Sequence, residues 1–175
     1  CQFGEWSMKS DNLSFFTQRK HPQWAVVDVR TVVNEAIRRV NTRLEEYQSN
    51  WEFVCDDESI LTYGDQNWLT MALENLMLNA VEHSPKSSAL CIEIQAVNQT
   101  IELHIIDRGP GIVPGNEYRI FKPFYTTRPG ATGLGLANVR TVMEKHGGGI
   151  RVGNQPDGGA IITLILQTIR RTQAA

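Results

Sequence analysis

The sequence predicts an α+β protein, a two-layer sandwich in which helices cover one face of a mixed β-sheet. Three observations predict this class. Long segments repeat apolar residues every three to four positions, shorter segments alternate apolar with polar residues, and the chain ends in two hairpin-like strands. Helices and strands in this order are typical of helices packed on one side of a sheet.

The first half of the chain predicts two amphipathic helices with a strand between them. Apolar residues recur at helical spacing from Val29, which predicts a helix over 29–47. Alternating apolar residues predict a short strand at 51–55. Asp65 is placed to cap a second helix over 66–83, because its carboxylate can accept a hydrogen bond from a free amide of the first turn. A Ser-Pro pair ends that helix.

The second half predicts four strands and one helix. The strands are expected at 89–97, 101–106, 149–153 and 160–168. Residues 107–132 contain too many glycines and prolines for a helix or a strand, and a loop this long inside a domain is usually functional or disordered. A helix over 134–146 follows this loop and ends at three consecutive glycines.

Length and composition fit one globular domain. The chain has 175 residues, 41% of them hydrophobic, and a net charge of −2 without a long run of either sign. This charge pattern indicates neither a nucleic-acid-binding surface nor a polybasic membrane surface. No apolar stretch approaches the roughly 20 residues of a membrane span, and no signal-peptide pattern is present. The three widely spaced cysteines indicate reduced thiols in a cytosolic protein.

The second predicted helix carries a polar stripe beside its apolar face. Asn75, Asn79 and His83 recur every fourth residue and therefore share one side of the helix. Asparagine is a poor helix former because its side chain competes for backbone hydrogen bonds, so two of them in mid-helix indicate a function. An amide oxygen is a ligand suited to Mg²⁺. The alternative is that both asparagines face solvent and have no role.

Two glycine-rich segments lie at the two ends of the long loop. Asp107 ends a strand, where its carboxylate can accept a hydrogen bond from an exocyclic amine, and the glycines of 108–112 let a flat ligand approach the backbone. Residues 130–136 precede a helix, whose free N-terminal amides form a phosphate site. The spacing matches neither a P-loop nor a dinucleotide-binding turn. The alternatives are a simple turn at the first segment and a flexible hinge at the second.

The loop between the two glycine-rich segments carries aromatic residues and an arginine. Phe121 and Phe124 are expected to pack locally and anchor the loop to the core. Arg128 can reach phosphate oxygens, because a guanidinium group matches the geometry of an oxyanion.

These segments, in this order, resemble the motifs of sensor histidine kinases. Residues 75–84 resemble the N box, 107–112 the G1 box, 121–127 the F box and 132–136 the G2 box, and 146–148 fit the end of the helix after G2. The resemblance covers about residues 25–168 and is nearest to the nitrogen-regulation type. It implies the Bergerat ATP-binding fold of the GHKL superfamily, with 108–132 as a lid over ATP.

The resemblance implies a role for each motif. Asn79 is expected to ligate Mg²⁺, with Asn75 supporting the phosphate side. Asp107 is expected to bind the adenine amine, and Arg128 to approach the γ-phosphate from the lid. The complete set of expected ATP-binding residues is Asn75, Asn79, His83, Asp107, Gly109, Gly111, Ile112, Thr127, Arg128, Gly133, Leu134 and Gly135.

The resemblance also implies that this chain is part of a kinase. None of its four histidines is followed by the acidic residue and proline of a phospho-acceptor motif, so the acceptor histidine is expected in an upstream dimerisation hairpin. Residues 1–24 are interpreted as the end of that hairpin with a linker, 25–170 as the ATP-binding catalytic domain and 171–175 as a C-terminal tail.

The expected partners are ATP, the histidine-containing hairpin and the receiver domain of a response regulator, with no nucleic acid. The full-length protein is expected to be a homodimer located in the cytoplasm, alone or as the cytoplasmic part of a membrane-bound sensor.

Three positions depart from the family or concern catalysis. Glu82 stands where many members carry a phosphate-binding lysine, and Ile161 where a threonine helps to bind the base. Glu74 is interpreted as a surface glutamate, and no catalytic base is assigned to this chain. The open alternatives are an ATPase clamp, an anti-sigma-type serine kinase and a non-catalytic ATP-binding module.

Overall fold

The computed structural model describes residues 21–44, 50–55, 60–86 and 88–169. The helices are α1 (Val29–Arg43), α2 (Gln66–His83) and α3 (Gly135–Lys145). The strands are β1 (Ala25–Asp28), β2 (Asn50–Cys55), β3 (Leu61–Gly64), β4 (Ala89–Val97), β5 (Thr100–Ile106), β6 (Gly149–Asn154) and β7 (Ala160–Gln167). The predicted α+β class is confirmed.

Five strands form one mixed sheet in the order β2-β4-β5-β7-β6. Strand β2 runs parallel to β4, and the other neighbours are antiparallel, so the last two strands form the expected hairpin. Strands β1 and β3 form a separate antiparallel pair. The sequence did not predict this pair, because four residues are too few to establish a strand-like alternation.

The two faces of the sheet differ in burial. Ile92, Ile105 and Ile162 are aligned across three strands and are buried in the core shared with the helices. Their aligned neighbours Glu93 and His104 lie on the opposite face and are only partly buried. This alternation follows from the two-residue period of a strand and establishes the two-layer arrangement.

The first two helices begin at capping aspartates. The Asp28 carboxylate accepts a hydrogen bond from the Arg30 amide, and that of Asp65 accepts one from the Trp68 amide at 3.0 Å, as predicted. Such a cap stabilises a helix by about 0.5–2 kcal/mol. Helix α1 ends at Arg43, and the predicted extension to residue 47 falls mostly outside the described residues.

Glu74 is not a surface residue. Only 5% of it is exposed, and its Oε1 lies 2.9 Å from Nη1 of Arg43 at the end of α1. The prediction of a surface glutamate is therefore wrong. Burying a carboxylate without a partner is costly. The ion pair with Arg43 offsets this cost and allows Glu74 to lie buried between the helices.

Cys55 and Cys91, the two described cysteines, are partly buried thiols that form no disulfide with each other. Burial, with a contribution from Glu93, raises the pKa of Cys91 to about 11, so this thiol is protonated and unreactive at neutral pH. Within the described ranges, no helix combines the length and apolar character of a membrane span.

His146 joins the end of α3 to the start of α2. Its Nδ1 donates to the Val142 carbonyl at 2.7 Å, and its Nε2 accepts a hydrogen bond from the Asp65 amide at 3.0 Å. The Trp24 ring packs against the imidazole with 4.8 Å between centroids. Asp65 also accepts a hydrogen bond from the Gln23 amide at 2.5 Å, so the chain entering the domain is tied to the same junction.

Stability is expected to fall as the pH drops below about 6.5, because the folded protein needs a neutral His146. Burial lowers the pKa of this imidazole below its ordinary value of 6.5. The unfolded chain therefore binds more protons in this range, and the free energy of unfolding declines as the pH falls from 6.5 through the lowered pKa. Urea unfolding between pH 5 and 8 measures the slope. His146→Gln should flatten it, and an unchanged slope in that variant would contradict the assignment.

Candidate functional site

The polar stripe of α2 lies where the sequence placed it. Asn75 is only 9% exposed, and its Nδ2 has no hydrogen-bond partner among the described residues. Asn79 and His83 are partly exposed, and Nδ1 of His83 donates to the Asn79 carbonyl at 2.8 Å. The alternative of two idle, solvent-facing asparagines is wrong for Asn75. A buried amide without a partner is unfavourable, which makes this side chain a candidate for binding a ligand.

The first turn of α3 lies against Asn75. A Cβ placed on Gly135 would lie 3.5 Å from the Asn75 Oδ1, so the absence of a side chain brings the helix start close to the amide. Within the described part of the chain, no side chain caps α3. Because the first amides of a helix have no partner within it, this uncapped start offers donors to an anion beside Asn75.

Asp107 is held in a fixed orientation at the end of β5. Its Oδ1 accepts hydrogen bonds from the Gly109 amide at 2.9 Å and the Ala160 amide at 2.8 Å. Among the described residues, no donor contacts its other oxygen. Gly159 approaches so closely that an added Cβ would lie 2.1 Å from the Asp107 carbonyl oxygen. One carboxylate oxygen is thus anchored by the backbone, and the second can accept from a ligand.

The segment after Asp107 is fixed at both ends. A Cβ on Gly109 would lie 2.7 Å from the His83 carbonyl oxygen, so this glycine permits close packing on the end of α2. At the other end, Asn154 of β6 accepts from the Ile112 amide at 2.7 Å and donates to the Ile112 carbonyl at 2.8 Å. Gly111, between these anchors, has a φ of 78°, a conformation that favours glycine.

Gly133 lets the segment before α3 touch the middle of the long loop. Its φ is 65°, and a Cβ there would lie 2.5 Å from the Phe124 backbone. The Phe124 amide donates to the Gly133 carbonyl at 2.9 Å. Leu134 follows as the N-cap residue of α3, which ties the loop to the start of this helix.

The long loop contains only one regular element, a single 3₁₀ turn at Arg119–Phe121. Phe121 is buried as expected, whereas Phe124 is 75% exposed, so the prediction that both phenylalanines pack locally is wrong for Phe124. Arg128 forms an ion pair with Glu82 on the last turn of α2. Thr127 beside it is exposed.

Asp107 is hydrogen-bonded to Ala160 and not to Ile161. Ile161 is aligned with Ile106 on the face of the sheet opposite the core, whereas Ala160 donates its amide to Asp107. The expectation that Ile161 affects base binding stays a prediction. The sequence missed Gly159 and Asn154. The Gly-Gly pair at 158–159 signalled a tight turn, but nothing in the sequence around Asn154 indicated its contact with Ile112.

Taken together, the three motif segments meet at the C-terminal half of α2. The segment after Asp107 packs on His83, the start of α3 lies against Asn75, and the long loop reaches Glu82. The Ser84 hydroxyl also accepts a hydrogen bond from the Arg108 amide at 3.0 Å. Segments far apart in the sequence therefore form one site.

Comparison with known proteins defines the class of the chain. A family model described as "Histidine kinase-, DNA gyrase B-, and HSP90-like ATPase" matches residues 64–170. The chain belongs to this family, and its fold is that of the ATP-binding domain of histidine kinases. The expected family and fold, together with ATP as the ligand, are confirmed.

Individual relatives place it among sensor kinases. The sensor-like histidine kinase SenX3 of Mycobacterium tuberculosis is 37% identical over 155 residues, which cover 85% of this chain and 37% of SenX3. The sensor histidine kinase ZraS of Escherichia coli is 30% identical over 146 residues, covering 83% of this chain and 31% of ZraS. The structure of the mycobacterial sensor histidine kinase MprB superimposes with a TM-score of 0.76 at 28% identity, covering 85% of this chain and all of that one.

The chain is thus similar to the catalytic ATP-binding domain of sensor histidine kinases, which are protein-histidine kinases. It spans 37% and 31% of the length of the two curated relatives.

Proposed function

We propose that this chain binds Mg-ATP and presents the γ-phosphoryl group to a histidine on the dimerisation hairpin of the same kinase. The observation that carries the proposal is the meeting of three separate segments at the C-terminal half of α2. There the anchored carboxylate of Asp107 and the uncapped start of α3 form the two ends of one site.

Asp107 recognises the adenine base. Two backbone amides hold Oδ1, so the carboxylate needs no reorientation before its second oxygen accepts a hydrogen bond from the exocyclic amine. Such preorganisation lowers the entropic cost of binding. The glycines at 109 and 111 leave room for the flat base beside the backbone.

The phosphates bind beside the start of α3. Its free amides and the helix dipole attract anions, and the amide of Asn75 adds a donor. The Asn79 side chain makes no hydrogen bond within the described residues and lies one turn from Asn75. Its oxygen suits Mg²⁺, which neutralises the charge of the triphosphate when bound.

Phosphoryl transfer depends chiefly on positioning and charge neutralisation, and a neutral imidazole is already a nucleophile. This chain therefore needs no catalytic base, and Glu74 is held by Arg43. ATPase clamps of the same fold place a water-activating glutamate four residues before the metal-binding asparagine, where this chain has Asn75. That difference favours a kinase. The hairpin, a second copy and a response-regulator receiver domain are the proposed partners in the cytoplasm.

A labelling experiment tests the proposal. The chain is incubated with γ-labelled ATP and Mg²⁺, alone and together with a longer form that carries the upstream hairpin. Acid-labile label on the hairpin of the longer form supports the kinase function. Asn79→Ala should abolish this label. Steady release of phosphate by the chain alone would favour the clamp instead. Full Mg-ATP affinity in Asn79→Ala would overturn the metal assignment.

Glu82→Gln is expected to strengthen Mg-ATP binding about two- to fivefold. Glu82 holds Arg128 in an ion pair, so the γ-phosphate must compete with a carboxylate for the guanidinium group. The pair is partly exposed, and such pairs are worth about 1 kcal/mol or less. Titration calorimetry with ATP and ADP measures the effect, which should be larger for ATP and should shrink at high salt. Equal effects on both nucleotides would show that Arg128 does not reach the γ-phosphate.

A further inference from the structure

Helix α3 carries a buried amide that none of the family motifs explains. Asn138 lies in the second turn of α3 and is only 8% exposed. Its Nδ2 is buried and has no hydrogen-bond partner among the described residues. Burying an amide donor without an acceptor is unfavourable, and an apolar side chain of similar size would avoid the cost. The presence of an asparagine here therefore needs a reason.

The position of Asn138 relates it to the phosphate side of the site. It follows Gly135 by three residues, and residues three apart share a face of a helix. Gly135 lies against Asn75 on α2, and the far end of α3 meets the start of α2 through His146, so the two helices run antiparallel along this face. A helical side chain leans toward the N-terminus of its helix, which directs Asn138 back toward Gly135 and Asn75.

Among the described residues, the two fully buried side-chain atoms at this place that have no hydrogen-bond partner are both donors. They are Nδ2 of Asn75 and Nδ2 of Asn138, and the first amides of α3 add further donors, since they have no partner within the helix. The Oδ1 of Asn75, which faces Gly135, is an acceptor at this place. A set of donors with too few acceptors matches a ligand rich in oxygen acceptors, such as a phosphate group.

We propose that Asn138 is a positioning residue for the phosphates of ATP and acts through Asn75. With nucleotide bound, Nδ2 of Asn138 donates to Oδ1 of Asn75. This contact turns Nδ2 of Asn75 toward a phosphate oxygen, so binding satisfies both buried donors. The inference rests on the proposed function, because it assumes that phosphates bind beside α3, and it adds a residue to that site.

Asn138→Leu tests the inference, since leucine has a similar volume and no donor. We expect Mg-ATP to bind about tenfold more weakly, equivalent to about 1.4 kcal/mol, and adenosine to bind as before. The melting temperature should not fall, because an unsatisfied amide is removed. Thr70→Val is the matched control. It removes from α2 a fully buried hydroxyl that has no hydrogen-bond partner in the described ranges. The position lies outside the proposed site, so both affinities should stay unchanged.

Three results would overturn the inference: unchanged Mg-ATP affinity, equal losses for ATP and adenosine, or additive losses in the Asn75→Leu/Asn138→Leu double variant. If Asn138→Leu fails to fold, Asn138→Ala takes its place in the same comparisons. A failure of the proposed function looks different. If the proposed function fails, the unaltered chain does not bind Mg-ATP. If only the inference about Asn138 fails, the unaltered chain binds Mg-ATP and the Asn138→Leu variant binds it equally well.

Discussion

Asp107→Asn is expected to weaken Mg-ATP binding about 100-fold while leaving the fold intact. The side-chain oxygen of asparagine can keep the hydrogen bonds from the Gly109 and Ala160 amides. Its amide nitrogen then replaces the free carboxylate oxygen and meets the adenine amine donor to donor. Loss of a charge-assisted hydrogen bond together with an unpaired donor costs about 2–3 kcal/mol, and each 1.4 kcal/mol is tenfold. Titration calorimetry measures the affinity.

The same substitution should change which base is preferred. An asparagine amide can donate to the 6-oxo group of a purine, so inosine triphosphate should lose less affinity than ATP, or gain. The melting temperature of the variant, compared with that of the unaltered chain, controls for misfolding. An Asp107→Asn variant that binds ATP within threefold of the original affinity would remove Asp107 from the base site.

Gly159→Ala is expected to destabilise the protein by about 3–5 kcal/mol, a large fraction of a typical stability of 5–15 kcal/mol. Two costs add. The residue has a φ of 100°, where an L side chain is strained by about 1–3 kcal/mol. The added Cβ would also lie 2.1 Å from the Asp107 carbonyl oxygen, so the backbone must move. Urea denaturation measures the loss, and ATP affinity should fall with it because Asp107 is displaced.

Gly158→Ala separates the two costs. Gly158 has a similar φ of 91°, but a Cβ there would have no atom within 4 Å. Its substitution should therefore cost only the backbone strain and leave ATP binding nearly unchanged. If both alanine variants lose the same stability, the close approach of Gly159 to Asp107 has no energetic role.

Elements with a long, regular pattern could be predicted from the sequence. The apolar spacing of α2 and its capping Asp65 gave the correct bounds of that helix, and the alternation in β4 gave the correct strand. The pair of strands β1 and β3 was not predicted, because both strands are short and their pairing joins segments that are distant in the sequence. A one-dimensional pattern also could not show that Glu74 is neutralised by Arg43 from another helix.

The residues of the candidate site also divide into those that could be predicted from the sequence and those that could not. Asn75, Asp107 and the glycines before α3 stand in recognisable motifs, because their chemistry requires particular residue types at particular spacings. Asn138 and Asn154 stand in no motif, and their importance arises only when separate elements pack together. Strand register is a further limit, since a shift of one residue places a side chain on the opposite face, as Ile161 and the buried Ile162 show.

The hydrogen bond from the Ala160 amide to Asp107 has a consequence for synthesis on the ribosome. It joins the end of β5 to the start of β7, the last strand of the sheet to be made. Because β7 lies between β5 and β6, a nascent chain has an incomplete sheet and an unanchored Asp107 until this strand emerges. A domain still being translated therefore lacks the anchored Asp107 on which the proposed adenine site depends, and ATP can act as a stabilising ligand only when the strands are assembled.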